Sequence, residues 1–540
     1  METRGHRSST RYLRLAALLI LPATLDACSA SLDDAPAMSV EEATTPRYRV
    51  LVANDLGMHC YDSDFSIFSL LPPFNTLQGQ VVDTVNRRLL TNADVNLRYV
   101  GVADPAGRIN TTSVGKTNFW THAPALFGVN LAADMGLAGQ KMPGTSNTAQ
   151  LFARYDSATR VFTAQGIPVT SRTNAGATSY YPMFRVQAVS KSTGSVLGYT
   201  DAVAPVSDEM NCSSCHNTGG TAARAAGVTW STNTNLGLQY RENVLKVHDL
   251  RHATNLWNTR PVLCASCHYS PALDLAGTGP TGNQVGRSYL SFAMHGRHGR
   301  DANNTTTGAP IISGSDRAAC YSCHPGSTTR CLRGAMGNAG MQCQSCHGTM
   351  LAVAGTYLSP TGTRRTPWLS ETRCQSCHTG DAVNHQTVTG QMATDNIRTL
   401  VAYASNDPSA TPRLAPTSRF AENASLYRNS RGHGGVLCEG CHNSTHAEWP
   451  SSETNDNLTS TQVQGHGGVI AECTACHTTV PSTATGGPHG MHIGAAWVSS
   501  HESYAKSNPA SCRPCHGTDA RGTVLSRTAA ARATPWRDAP

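Results

Sequence analysis

Eight times between Cys212 and His516 the chain writes Cys-x-x-Cys-His, and this repeat constrains the fold more than any other feature. Numbered here as sites 1 to 8, the occurrences are Cys212, Cys215 and His216; Cys264, Cys267 and His268; Cys320, Cys323 and His324; Cys343, Cys346 and His347; Cys374, Cys377 and His378; Cys438, Cys441 and His442; Cys473, Cys476 and His477; and Cys512, Cys515 and His516. With 19 Cys and 22 His in 540 residues, composition alone predicts about 0.03 such motifs. The repeat is therefore a requirement of the chemistry.

Two thiols separated by two residues can each form a thioether to one vinyl group of a porphyrin, and the next residue, His, then coordinates the iron. Paired cysteines also suit structural zinc or disulfides. Neither needs His directly after every second Cys. The motifs thus predict eight covalently bound c-type haems. Their thioethers fall on Cys212 and Cys215, Cys264 and Cys267, Cys320 and Cys323, Cys343 and Cys346, Cys374 and Cys377, Cys438 and Cys441, Cys473 and Cys476, and Cys512 and Cys515. The proximal ligands are His216, His268, His324, His347, His378, His442, His477 and His516.

Sixteen of the nineteen cysteines are used in this way, leaving Cys28, Cys60 and Cys331. Arg4, Arg7, Arg11 and Arg14 precede an apolar run from Leu15 to Leu21, the order of an export signal over residues 1–27. Its apolar run is too short to span a bilayer. Leu25-Asp26-Ala27-Cys28 resembles a bacterial lipobox, which implies lipidation of Cys28; Asp26 departs from that pattern, and simple secretion is the alternative. Cys60 and Cys331 are permitted a disulfide in an oxidising compartment, or remain as buried thiols.

Past the signal, no run of eighteen apolar residues occurs, so the expected membrane link is the lipid anchor alone. The formal net charge is +7, and because residues 1–27 hold four Arg and two acids, the remainder carries +5. Each ferric haem adds about −1 and each ferrous haem about −2, which brings a loaded chain to about −3 oxidised and about −11 reduced. Much of the Arg is accounted for as haem propionate partners, and the basicity does not indicate a nucleic-acid partner.

Composition changes near residue 206. Residues 47–205, after a linker at 28–46, contain strand-like runs at Arg49–Val52, Phe65–Leu70, Gln80–Asp83, Val95–Val102, Ala149–Tyr155, Tyr180–Val189 and Ser195–Tyr199. These predict an N-terminal antiparallel β-sandwich-like domain. Residues 206–520 are rich in Gly, Ser, Thr and Asn, and bury too little apolar surface to offset chain entropy unaided. They predict an irregular, helix-poor multihaem domain whose core is built from haems, with short helices such as Arg241–His252 and a tail at 521–540. The His-to-His intervals run from 23 to 64 residues, so there is no solenoid period.

Iron in such sites has a second axial position. Outside the motifs, eleven histidines fall in the motif-rich half: His248, His252, His295, His298, His385, His433, His446, His466, His489, His492 and His501. Eleven candidates for eight positions allow every iron to be bis-His. His433 and His466 stand in matching Gly-His-Gly-Gly-Val segments, whose glycines permit close approach to a flat ligand. His59, in Asn54-Asp55-Leu56-Gly57-Met58-His59-Cys60, is a further candidate, with a structural turn as its alternative.

The motif-rich half, including Cys320-Tyr-Ser-Cys-His-Pro-Gly with Cys331-Leu-Arg-Gly-Ala-Met and Cys512-Arg-Pro-Cys-His-Gly-Thr-Asp with Arg521-Gly-Thr, resembles the secreted and outer-membrane multihaem cytochromes of metal-reducing and related bacteria. That resemblance implies an electron carrier rather than an enzyme, located at the outer membrane, cell surface or periplasm. Its partners would be redox proteins or an extracellular acceptor. Two alternatives remain at this level: an octahaem reductase or oxidase with one open iron, and a homopolymer forming an extracellular filament.

Overall fold

The computed structural model describes residues 46–55, 57–300, 320–326, 328–347 and 430–479, with short pieces at 350, 353, 368, 501–503, 505–507 and 509. Several expected site residues lie outside the described residues: Cys28, site 5 with Cys374, Cys377 and His378, site 8 with Cys512, Cys515 and His516, and the candidates His385, His489 and His492.

In chain order the strands are β1 (Tyr48–Asn54), β2 (His59–Cys60), β3 (Phe68–Ser69), β4 (Asn75–Asp83), β5 (Arg88–Leu89), β6 (Val95–Val102), β7 (Gln150–Leu151), β8 (Arg154–Asp156), β9 (Val161–Ile167), β10 (Met183–Ser190), β11 (Val196–Val203), β12 (Val206–Ser207) and β13 (Val262–Leu263). One antiparallel sheet runs β1-β4-β9-β8 with β5 on β4, and a second runs β11-β10-β6-β7. Between them lies an apolar core that includes Leu77, Val81, Leu97, Tyr99, Phe162, Phe184 and Val186. Tyr99 meets Phe152 and Phe184 edge-on at 5.8 and 5.6 Å. Each fully buried residue of this size contributes about 1.5–3 kcal/mol.

Alternation explains β6, where Val95, Leu97, Tyr99 and Gly101 point inward and the residues between them are half-exposed. It fails for β4, whose burial is nearly continuous, because both of its faces are covered. Leu77 and Val81 enter the sandwich core. On the other face Val82 packs with Leu51, Leu89, Val463 and Ala475, and Gln80 donates to the Gly435 carbonyl and accepts from Leu437 N–H.

Helix α1 (Phe119–Phe127) closes one end of the sandwich by burying Phe119, Ala123 and Leu126, and stops at Gly128, φ 69°. In the motif-rich half the helices are α2 (Ser213–His216), α3 (Leu236–His252), α4 (Leu290–Arg300), α5 (Ala335–Asn338), α6 (Cys343–His347), α7 (Cys438–His442) and α8 (Leu458–Gln464). Helix α3 begins five residues before the expected Arg241, because the Asn235 side chain caps it by accepting from Gly237 and Leu238 N–H. None of the described helices is long and apolar enough to cross a membrane.

The compositional boundary near 206 is not a boundary in packing. Two short parallel ladders join the halves, β2 with β12 just upstream of site 1 and β3 with β13 leading directly into site 2. At the outer sheet face Arg49 Nε donates to Ala475 O, Ser444 Oγ to Asn54 O and Thr459 Oγ1 to Asp201 O. The sheets are thus a platform: sites 1 and 2 hang from the ladders, and sites 6 and 7 rest on β1, β4 and β11.

Beside the ladders, Asp62 is fully buried. Its Oδ2 accepts from Ser69 Oγ and from the Leu70 and Leu71 N–H groups. Burial nevertheless pushes its pKa from 3.8 up to about 6, against the pull of Arg241. A raised carboxyl pKa adds stability below 3.8 that is lost as pH rises through about 6, a change of about 3 kcal/mol for a shift of this size. Asp62→Asn should therefore flatten the fall of the urea midpoint across that window. A variant whose pH profile matches the parent would show that Asp62 does not carry it.

Candidate functional site

Each described motif folds into a single helical turn, and that turn explains the spacing. The fifth-residue amide bonds back to the first carbonyl in His216 N to Cys212 O, His268 N to Cys264 O, His324 N to Cys320 O and His477 N to Cys473 O, at 2.8–3.0 Å. Sites 4 and 6 are the short helices α6 and α7. Positions i, i+3 and i+4 share one helical face, so both thiols and the imidazole emerge together. The first thiols Cys212, Cys264, Cys320, Cys343, Cys438 and Cys473 and the second thiols Cys215, Cys267, Cys323, Cys346, Cys441 and Cys476 are all unbridged. Cys60 and Cys331 are free thiols too, so the disulfide that an oxidising compartment would permit is not formed between them.

Opposite five of the six described motif histidines stands a second histidine from elsewhere in the chain. The ring-centroid separations are 6.1 Å for His216 and His298, 6.4 Å for His268 and His248, 5.9 Å for His324 and His295, 6.1 Å for His347 and His446, and 5.8 Å for His477 and His433. A metal–imidazole bond is about 2.0 Å and the ring nitrogen lies about 1.1 Å from its centroid, so two rings clamping one iron stand about 6.2 Å apart. A single pair at this distance is ordinary, since aromatic rings pack at about 4.5–7 Å. Five motif rings, each facing a non-motif histidine at one spacing, make a pattern.

The rings are also held as ligands. Nδ1 of His268, His295 and His298 lies 2.9, 2.8 and 2.7 Å from the Ser288, Ser291 and Met294 carbonyl oxygens, which can only accept, so Nδ1 carries a proton and Nε2 is the nitrogen left for a metal. His248 reaches the same state by relay: Nδ1–H donates to Thr254 Oγ1, whose hydroxyl donates to Asp249. Protonation is suppressed as well. Burial, then His298 and Arg251, lowers His216 to about 4. Burial leads the downward shifts of His248, His324 and His433, and neighbouring histidines add to each. Neutral imidazole is the form that binds metal.

Among the described residues no group of three or more His, Cys, Asp or Glu converges as a metal site. The imidazoles come in twos, which is the number of positions a porphyrin leaves open on iron. Structural zinc needs four converging ligands. Thiol pairs beside opposed imidazole rings therefore fit a covalently attached haem, with His216, His268, His324, His347 and His477 on one side and His298, His248, His295, His446 and His433 on the other.

Other candidates sit differently. His433 precedes site 6 in sequence yet faces site 7. His466 turns Nε2 toward Glu472 Oε1 at 3.6 Å, and its Nδ1 toward Gly467 O. His252 lies beside His248, 4.7 Å between centroids, at the exposed end of α3. His59 is 2% exposed and packs on Phe74 at 3.6 Å; burial lowers its pKa to about 3, and its Nε2 has no hydrogen-bond partner. His501 lies on a helical turn at 501–503. His442, the sixth motif histidine, is held through its carbonyl, which accepts from Trp449 N–H at 3.0 Å.

The sites are contiguous. Cys212 of site 1 and Cys264 of site 2 pack against one apolar cluster of Ile67, Phe68, Tyr240 and Leu245. Sites 1 and 3 share α4, which presents His298 to one and His295 to the other, and the Cys323 and Cys212 thiols feel each other electrostatically. The second thiol of site 1, Cys215, acts on Cys323 in the same way. Site 3 adjoins site 4, since His347 and His446 both act on His324. His446 follows His442 by four residues, at most about 14 Å of chain, linking site 4 to site 6. Cys441 and Cys476 bring site 6 against site 7. Comparison of the chain with protein-family models, with curated proteins and with solved structures found no match.

Proposed function

We propose that the protein is an exported multihaem c-type cytochrome that carries electrons along a run of bis-His haems. The observation that carries this reading is the set of five opposed histidine pairs, each containing a motif histidine. A haem held there would supply a one-electron iron couple, and a histidine offered on each side would suit outer-sphere electron transfer rather than bond-making. The chain's part is to hold the rings. The Nδ1 contacts fix their tautomers, the Phe68 and Tyr240 cluster keeps water from between sites 1 and 2, and the β-platform fixes the spacing of the motifs. The contiguity of the described sites supports a path in the order 2, 1, 3, 4, 6, 7, which differs from the order in sequence. Thioether attachment and Cys28 after an export signal fit a location outside the cytoplasm, with a redox partner or external acceptor.

Coulometric reduction of the purified protein should take up close to eight electrons per chain over a broad span of potential, because neighbouring centres titrate as a coupled set. Carbon monoxide should leave the reduced spectrum unchanged. A strong carbon monoxide complex would instead favour a reductase with an open iron.

Haem removal should divide the molecule. The main apolar core lies between the two sheets, whereas the described motif segments bury only smaller apolar clusters beside their ladders and hydrogen bonds. Protein made without haem attachment should keep slow amide exchange in β4, β6 and β10 and lose it in the described helices of the motif-rich half, α2 to α7. Equal protection in both regions would contradict this.

A further inference from the structure

The hydrogen bond made by the far nitrogen of an axial imidazole tunes how strongly the ring donates to its metal. At sites 1, 2 and 3 that nitrogen meets a backbone carbonyl. At site 4 it meets sulfur: His446 Nδ1 lies 3.4 Å from Cys331 Sγ.

The contact is built in from three directions. The His446 carbonyl accepts from both Arg333 and Gly334 N–H, at 2.8 and 2.9 Å, which ties its backbone to the segment that carries Cys331. Gly57, φ +88°, approaches so closely that a Cβ there would lie 3.2 Å from His446 Cβ, so the backbone of the 54–60 segment packs directly on the base of this side chain. Arg333 is itself locked to Asp456.

With Nε2 turned to a metal, Nδ1 must carry the proton, and it donates to sulfur. The acceptor is therefore a cysteine sulfur. Thiol sulfur is a weak acceptor compared with a carbonyl. This contact therefore lends the His446 imidazole less basicity than an oxygen acceptor in the same place would.

We propose that Cys331 is a positioning residue that acts through His446 to raise the reduction potential of site 4 relative to the variant in which an oxygen accepts that hydrogen bond. This rests on the reading of the His347 and His446 pair as an iron clamp. A weaker axial donor stabilises the ferric state less, so the centre is easier to reduce. Placed between sites 3 and 6, such a centre would act as a local electron sink in the run.

The test is an electron paramagnetic resonance redox titration of the full-length haem-loaded protein and of its Cys331→Ser and Cys331→Ala variants, with haem content measured in each. Serine places a better acceptor at the same position, so one low-spin signal should shift to lower potential with the other signals and the haem count unchanged. Alanine removes the acceptor, and that signal should not move lower. Unchanged potentials in both variants, an equal lowering in both, or haem loss in both would overturn the tuning role. Absence of bis-His signals in the parent protein would instead refute the clamp reading, so the two failures are distinguishable.

Discussion

His298→Ala should convert one haem, and one only, from low-spin to a high-spin form that binds carbon monoxide. Helix α4 carries His295 and His298 three residues apart, and the two rings face different motif histidines, His324 and His216. Alanine is the best helix former, so α4 should persist and the loss should stay local. With eight motifs in the chain, about one-eighth of the haem absorbance should respond. His295→Ala should do the same at site 3, and the double variant should affect two haems. Conversion of no haem, or of several by one substitution, would show that α4 does not feed two sites.

Asp456→Ala should be the most destabilising single change among the described charged residues, by about 3–5 kcal/mol, the cost of leaving a buried charge without its partner. Arg333 Nε and Nη2 donate to the two Asp456 oxygens at 2.6 and 2.9 Å, with side-chain exposures of 1% and 0%. Ser451 Oγ donates to the same carboxylate, and Trp449 Nε1 to the Asp456 carbonyl. This knot fixes the backbone that holds His446, so site 4 should lose low-spin character in parallel. Removing both charges together, as Arg333→Met with Asp456→Leu, should cost less than removing one. Urea denaturation of the loaded protein checks the order; a single-variant loss below about 1 kcal/mol would mean that the pair is solvated in solution.

What can be read from the sequence is what is local. The one-turn geometry of the motifs follows from spacing alone, because i, i+3 and i+4 share a face whatever surrounds them. The strand β6 follows from alternation. The strand β9 is not legible, since Gln165 and Gly166 interrupt its apolar pattern, and the extent of β4 is not, since both of its faces are covered by distant parts of the chain.

Pairing of rings is tertiary, and sequence adjacency misleads there. His433 sits five residues before Cys438 yet faces His477, because the Gly432–Val436 turn docks on Gln80 and directs the ring toward the neighbouring motif. His466, in the matching segment, finds Glu472 instead. The Thr254 and Asp249 relay and the Cys331 contact likewise leave no mark in composition, because each depends on which loop folds against which ring. The histidine pair on α4 is visible as His295-Gly-Arg-His298, but its division between two sites is not.

Low-temperature electron paramagnetic resonance of the oxidised full-length protein, with spin integrals set against haem and protein content, bears most directly on whether opposed histidines close every iron. The expected result is eight haems per chain with low-spin ferric signals throughout. Far fewer haems, or a substantial high-spin fraction in intact protein, would contradict it.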